Sequence, residues 1–425
     1  MRRARHSQGT SWLSLSVIAL ASASLFSDIG HEMATAVLPM FIGTMGLGAA
    51  SLGVIEGVAD FLNSMAKLGG GYLGQRLSRK KSITACGYLI TALSTAALSW
   101  GRGFWGFLTL RSAAWIGRGY RAPLRDFMMS DAVPPTHYGR AFGLERAGDM
   151  IGAVAGPLSA ALLIAIGLGY RQIFAWALIP GILAASSVFF FVREKPRHPE
   201  TPVALHDIHA RFPSGFGLLL TAILTFGMGD FSRTFLILVA ARRLGAGAAL
   251  GIGGLFLSLP VLLYVLHNAV SALTTIPAGR AGDRWSKKHV LTLGYGLGAV
   301  CNLLLWAGTG SRASLALIFA LSGVYIAIED TIEKAYVSEL LPRSVRSYGL
   351  GLLATANAAG DMLSSLYVGI IWEWAGPLWA FGVAGAFSCA GFVFLAALPS
   401  RGEAGRGVAH PSNDAHGSGT TFRGV

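Results

Sequence analysis

A chain of 425 residues that is 53% hydrophobic and only 13% Asp, Glu, Lys and Arg has too few charges to solvate the surface of a water-soluble protein of that length. Its net charge of +13 sits in short clusters separated by long apolar runs, which argues against a nucleic-acid-binding protein and for a membrane protein with charged loops. The three cysteines, Cys86, Cys301 and Cys389, all fall inside apolar runs, so they read as packed thiols and not as a disulfide framework.

Crossing the hydrocarbon takes about 20 mostly apolar residues. Twelve such stretches are predicted, near 12–40, 49–74, 83–101, 104–128, 138–166, 170–192, 214–241, 251–278, 289–309, 312–338, 346–371 and 376–398. The predicted fold is an all-α membrane protein with twelve transmembrane helices in two pseudo-symmetric six-helix bundles, residues 1–192 and 214–398. A polar, proline-containing linker at 193–213 joins them, and the Gly-, Ser- and His-rich tail at 399–425 is expected to be disordered. The 56 glycines suit helices that must approach closely, because lipid gives no hydrophobic drive for their association.

Each ionisable residue inside a span is costly in hydrocarbon and so is a candidate functional group. The first span runs past Asp28 to Met40 without a convincing cleavage site, and reads as a retained helix instead of a signal peptide. Its Asp28, His31 and Glu32 share one face at helical spacing, suited to sharing a proton, holding a cation or ligating a metal. For His31, packing competes with a relay or ligand role. The second span adds Glu56, Asp60, Asn63 and Lys67 on one stripe, with Glu56 nearer the outside and Lys67 placed to snorkel toward the cytoplasmic headgroups.

A basic loop follows at Gly71-Tyr-Leu-Gly-Gln-Arg-Leu-Ser-Arg-Lys-Lys81. In the fourth span Arg111 lies deep and needs a carboxylate, for which Asp28, Glu32 and Asp60 are the candidates. Arg118, Arg121, Arg125 and Asp126 approach the cytoplasmic end and read as interface and gate contacts. The fifth span holds Gly148, Asp149, Gly152, Gly156 and Pro157, whose small residues four apart also suit ordinary helix packing.

In the second half, Asp230 and Arg233 lie one turn apart in the seventh span and are placed to neutralise each other. His267, in the eighth span, is read first as a core hydrogen-bonding residue. The basic loop returns at Gly279-Arg-Ala-Gly-Asp-Arg-Trp-Ser-Lys-Lys288, 208 positions after the first. Glu329, Asp330, Glu333 and Lys334 crowd the tenth span, where one acid is a candidate for titration in a transport cycle. Gly148-Asp149-Met150 recurs as Gly360-Asp361-Met362, and Asp131-Ala-Val-Pro134 as Glu339-Leu-Leu-Pro342, so the chain reads as a duplicated bundle. The basic clusters fall on one side if the spans alternate, which predicts both termini in the cytoplasm, with Arg242 and Arg243 as exceptions.

The paired loops resemble the cytoplasmic signature G-x-x-x-D-R-x-G-R-R of the major facilitator superfamily. The second copy supplies Gly279, Asp283, Arg284, Lys287 and Lys288; the first keeps Gly71, Arg76, Arg79 and Lys80 but has Gln75 at the acidic position and Ser78 at the glycine. The resemblance covers roughly 12–398 and implies a gate built from these loops together with Asp149 and Asp361. It also implies a proton-coupling role for Arg111, and an antiporter-like motif at Gly148, Gly152, Gly156 and Pro157. Taken together it implies a proton-driven, alternating-access exporter of a small organic compound in the bacterial inner membrane, acting as a monomer without a cofactor. Asp28, His31, Glu32, Asp60, Arg111, Asp230, Arg233, Glu329 and Glu333 would line its path. Alternatives are a transporter of a metal ion or chelate, with Asp28, His31 and His267 converging, and a non-transporting membrane scaffold or sensor, toward which Gln75 points. No hydrolase triad, HExxH or phosphate-binding loop supports an enzyme.

Overall fold

The structure, a computed structural model, describes residues 13–77, 79–194, 212–213, 215–245, 247–252, 254–308, 310–342 and 346–398. Most of the predicted linker, the predicted tail, the amino-terminal arginines, Ser78 and the side chains of Gln75 and Arg76 lie outside the described residues.

The first five spans are single helices: α1 (Leu15–Thr44), α2 (Ala49–Arg76), α3 (Lys81–Ala97), α4 (Gly103–Ala132) and α5 (Tyr138–Ala165). The sixth is segmented into α6 (Tyr170–Trp176), α7 (Leu178–Ser186) and a π-helical turn at Ser187–Phe191. The seventh is broken into α8 (Phe216–Gly227) and α9 (Thr234–Leu244). After it comes a hairpin, β1 (Ala249–Ile252) against β2 (Leu255–Ser258), and then α10 (Leu259–Arg284). Four helices complete the chain: α11 (Lys287–Trp306), α12 (Arg312–Leu340), α13 (Arg346–Ala375) and α14 (Pro377–Ala397). The protein is thus a twelve-span helical membrane protein. Among the described residues, seven helices are long and apolar enough to cross a membrane on that criterion alone. The spans that fall short include α1, α2 and α4, whose hydropathy is lowered by their own buried charges.

Two sequence expectations are corrected here. The seventh span is not one helix over 214–241, and residues 249–258 form strands where the eighth span was expected to begin at 251. The break between α8 and α9 is stable at membrane depth because side chains satisfy the freed backbone groups. Tyr367 donates to Met228 O (2.5 Å), Asn302 to Gly229 O (2.8 Å) and Ser364 to Asp230 O (3.0 Å). The Ser232 amide donates to Ser365 Oγ at 3.0 Å.

The two halves repeat one packing scheme. α2 lies on α4 as α10 lies on α12, and across the halves α2 meets α13 as α5 meets α10. Close approach at these seams requires glycine. A Cβ on Gly323 of α12 would stand 2.5 Å from His267 O of α10, and one on Gly369 of α13 would stand 2.6 Å from Ala49 O of α2.

Candidate functional site

A cavity of about 360 Å³ lies between the halves. Its amino-terminal wall comes from α1 (His31, Glu32, Thr35), α2 (Glu56, Asp60, Asn63) and α4 (Arg111, Trp115). The facing wall comes from the broken seventh span (Asp230, Ser232, Arg233), from Tyr264 of α10, from Glu329 and Asp330 of α12, and from Asn357 and Asp361 of α13. Lys67 and Lys334 line it toward the end of the bundle that carries the basic loops. At the opposite end α2 and α13 close on each other: the Ala50 amide donates to Glu373 Oε2 at 2.9 Å, and Gly53 faces Ser365 and Gly369.

Arg111 is fully buried, and only a carboxylate at bonding distance makes such burial tolerable. That carboxylate is Glu56, which accepts from Nε at 3.0 Å and from Nη2 at 3.2 Å; Thr35 Oγ1 also accepts from Nη2, at 3.1 Å. The expectation that Asp28, Glu32 or Asp60 would play this part is corrected. Glu56, expected near the outer interface, is 1% exposed and belongs to the site. Glu32 instead accepts from the Tyr264 hydroxyl at 2.7 Å, and Ser232 Oγ donates to Glu56 Oε2 at 3.4 Å. Both bonds join the two halves across the cavity.

Asp28 turns away from the cavity and toward α4, where it accepts from Arg118 at 2.6 and 3.2 Å. The ladder continues below it. Arg121 donates to Ser27 at 2.5 Å, and Arg125 donates to Ser24 at 2.7 Å and pairs with Glu145 at 2.5 Å. These arginines therefore knit α4 to α1 and α5 inside one half, which corrects their reading as gate contacts. The fifth-span glycines hold α5 on the same face of α1, because a Cβ at Gly156 would meet Ile29 O at 2.6 Å and Glu32 Cβ at 2.8 Å. Asp149 pairs with Arg146 on its own helix at 3.0 Å, and not with a basic loop. Its repeat partner Asp361 lines the cavity.

On the facing wall, Asp230 and Arg233 neutralise each other at 2.8 Å as expected, with Tyr325 donating to Asp230 at 2.9 Å. Glu333 is buried behind the wall, accepting from Tyr295 (2.5 Å) and Asn357 (2.6 Å). Among the described residues, the carboxylates of Asp60, Glu329, Asp330 and Asp361 have no ion-pair or hydrogen-bond partner. In the loops, Lys287 pairs with Glu339 at 2.9 Å, and the Lys80 and Lys81 amides donate to the Glu194 carboxylate, Lys81 at 3.2 Å. His31 packs edge-on to Trp115 with ring centroids 4.6 Å apart, and His267 stacks on Tyr264 at 5.8 Å without lining the cavity. No group of three or more His, Cys, Asp or Glu among the described residues is placed to hold a metal ion.

Comparison with known proteins places this geometry. The profile of the Major Facilitator Superfamily matches residues 20–267 and 246–421. An uncharacterized MFS-type transporter of Methanocaldococcus jannaschii is 30% identical over 85% of this chain and 89% of its own length. The organic cation/carnitine transporter 2 of Arabidopsis thaliana is 26% identical over 72% of this chain and 65% of its own. Among solved structures, a bacterial homolog of the human lysosomal transporter Spinster, inward-facing and occupied, superposes with a TM-score of 0.69 at 16% identity, covering 89% of this chain and 95% of that one.

Proposed function

The chain belongs to the major facilitator superfamily of membrane transporters, and we propose that it is a proton-driven exporter of small organic cations. The observation that carries this reading is the charge of the cavity wall. Seven carboxylates (Glu32, Glu56, Asp60, Asp230, Glu329, Asp330, Asp361) face four cations (Lys67, Arg111, Arg233, Lys334). Two of the carboxylates are neutralised by Arg111 and Arg233, and four have no ion-pair or hydrogen-bond partner among the described residues. An excess of unpaired carboxylates at membrane depth favours a cation, and a proton competes for the same oxygens. The similarity to a plant protein named for organic cations supports the same class.

The transport cycle follows from that competition. The halves, residues 1–192 and 214–398, rock about the α2–α13 and α5–α10 seams. In the form described here the cavity opens toward the basic loops, the cytoplasmic side by the positive-inside rule, with linker and termini on that side of the inner membrane. An organic cation binds to Asp60, Glu329 and Asp361 from this side. After the α2–α13 seam parts, protons from outside displace it and reset the carrier, so each ligand biases the state to which it binds better. Arg111 and Glu56 hold each other as a buried neutral pair in the cavity wall, and a monomer contains the whole path.

The test uses proteoliposomes loaded acid inside, with uptake of a panel of radiolabelled organic cations as the readout. Uptake should follow the imposed pH gradient, vanish when an ionophore collapses it, and fall at least ~10-fold in the Asp60→Asn/Glu329→Gln double variant. Uptake indifferent to the gradient, or accumulation of organic anions instead, would overturn the reading.

A further inference from the structure

We infer that the substrate is bipolar: it carries a hydrogen-bond-accepting group, foremost a carboxylate, held apart from its cationic centre, and opposite walls of the cavity read the two ends. This deepens the organic-cation reading of the same cavity and rests on it.

Among the described residues, three buried nitrogens of the amino-terminal wall have no hydrogen-bond partner. Arg111 uses Nε and Nη2 on Glu56 and Thr35, but its Nη1 meets no acceptor. Trp115, one turn further along α4, has no acceptor for Nε1, and Nδ1 of His31 of α1, 3% exposed, has no hydrogen-bond partner among the described residues. The three side chains form one contact cluster: the Arg111 guanidinium lies 5.3 Å from the Trp115 ring, and the His31 ring meets that ring at 4.6 Å. All three line the cavity. A buried donor without an acceptor is costly, and the few that persist in a native fold call for a reason. Water can bond the Arg111 and Trp115 donors too, but a carboxylate offers about four lone-pair sites and makes a charge-assisted bond to the guanidinium.

The facing wall has the opposite chemistry. Glu329 is 9% exposed, lines the cavity, and leaves Oε2 without a donor. Asp361 lines the same wall with no partner, while Arg233, its nearest source of positive charge on the broken span, is engaged by Asp230. A cationic head placed there supplies what Glu329 lacks. A site built to bond a polar group discriminates strongly against an analogue that lacks it, because the site's own buried groups are then left unpaired.

The experiment is a matched binding series on the purified full-length protein, read by thermal stabilisation and by titration. Tetramethylammonium presents the cation alone, choline adds a hydroxyl, glycine betaine adds a carboxylate, and 3,3-dimethylbutanoate presents the carboxylate alone; aryl-spaced homologues of each extend the reach. The bipolar members should bind on the order of 10-fold more tightly than either single-ended probe. Trp115→Phe, which keeps an aromatic side chain but removes the indole N–H, should lower the affinity of the bipolar members more than that of tetramethylammonium and so erase part of that advantage. Glu329→Gln should weaken every cationic member and preserve their order. Equal affinity for tetramethylammonium and the bipolar compounds would overturn the bipolar inference and leave the cation reading standing. Binding of the carboxylate-only probe alone, or of no member at all, would overturn both.

Discussion

Arg111 sets the terms at the scale of single residues. A guanidinium with no exposed surface is stable only because Glu56 grips it through two nitrogens. Removing one partner of a buried pair costs about 3–5 kcal/mol, whereas an exposed pair is worth about 0–1 kcal/mol. Glu56→Ala should therefore lower the melting temperature of the purified protein sharply, while Arg146→Ala, whose side chain is 49% exposed in its pair with Asp149, should scarcely move it. Equal effects would contradict the assignment of Glu56. The presence of charges within the spans was legible in the sequence, but their partners were read wrongly, because a pairing depends on how each helix is rotated about its axis. Depth was nevertheless available. Arg111 lies eight residues after Gly103 and Glu56 seven after Ala49, both counted from the same end of the bundle. Asp28 lies thirteen after Leu15 and Arg118 fourteen before Ala132, counted from the other end, so both true pairs were matched in depth.

Among the elements, the broken seventh span is the feature that places the site. By interrupting the helix between Gly227 and Thr234, the chain brings Asp230, Ser232 and Arg233 into the cavity wall, and its freed carbonyls take side-chain donors from α11 and α13. Asn302→Ala removes the donor to Gly229 O and to Ser388 Oγ. A buried acceptor left without its donor costs about 1–3 kcal/mol, so this variant should be destabilised by that amount in denaturation and should bind cations more weakly. A variant as stable as the parent would show that the break does not depend on this bond. The sequence offered a sign of the break in Gly227-Met-Gly229, and of the hairpin in a Gly-Gly pair between apolar runs. Both were lost because apolar strands and apolar helix segments look alike when every residue faces lipid or protein. The glycine repeat was more readable. A Cβ at Gly148 would stand 2.8 Å from Ala21 O, and one at Gly360 2.8 Å from Gly227 Cα, so the same tripeptide seats the fifth span on the first and the eleventh on the seventh.

On the scale of the whole molecule, the duplication visible in the sequence corresponds to two bundles of like packing, yet equivalent residues have parted in role. Asp149 is held by its own helix, whereas Asp361 stands unpaired in the cavity. Basic-loop spacing foretold the superfamily, and buried charge foretold a polar path, but the balance of that path depends on which carboxylates face it. Asp28 and Glu333 are turned into bundle interiors, while Glu56, Asp330 and Asp361 join the wall. The account stands on competition between protons and an organic cation for the unpaired carboxylates of that wall. Its most direct test is the proton released when a cation binds to the purified protein in weakly buffered solution, followed with a pH indicator. Cation binding should release protons, and the release should fall markedly in Asp60→Asn and in Glu329→Gln. Saturating cation binding with no proton release in the parent protein would contradict the account.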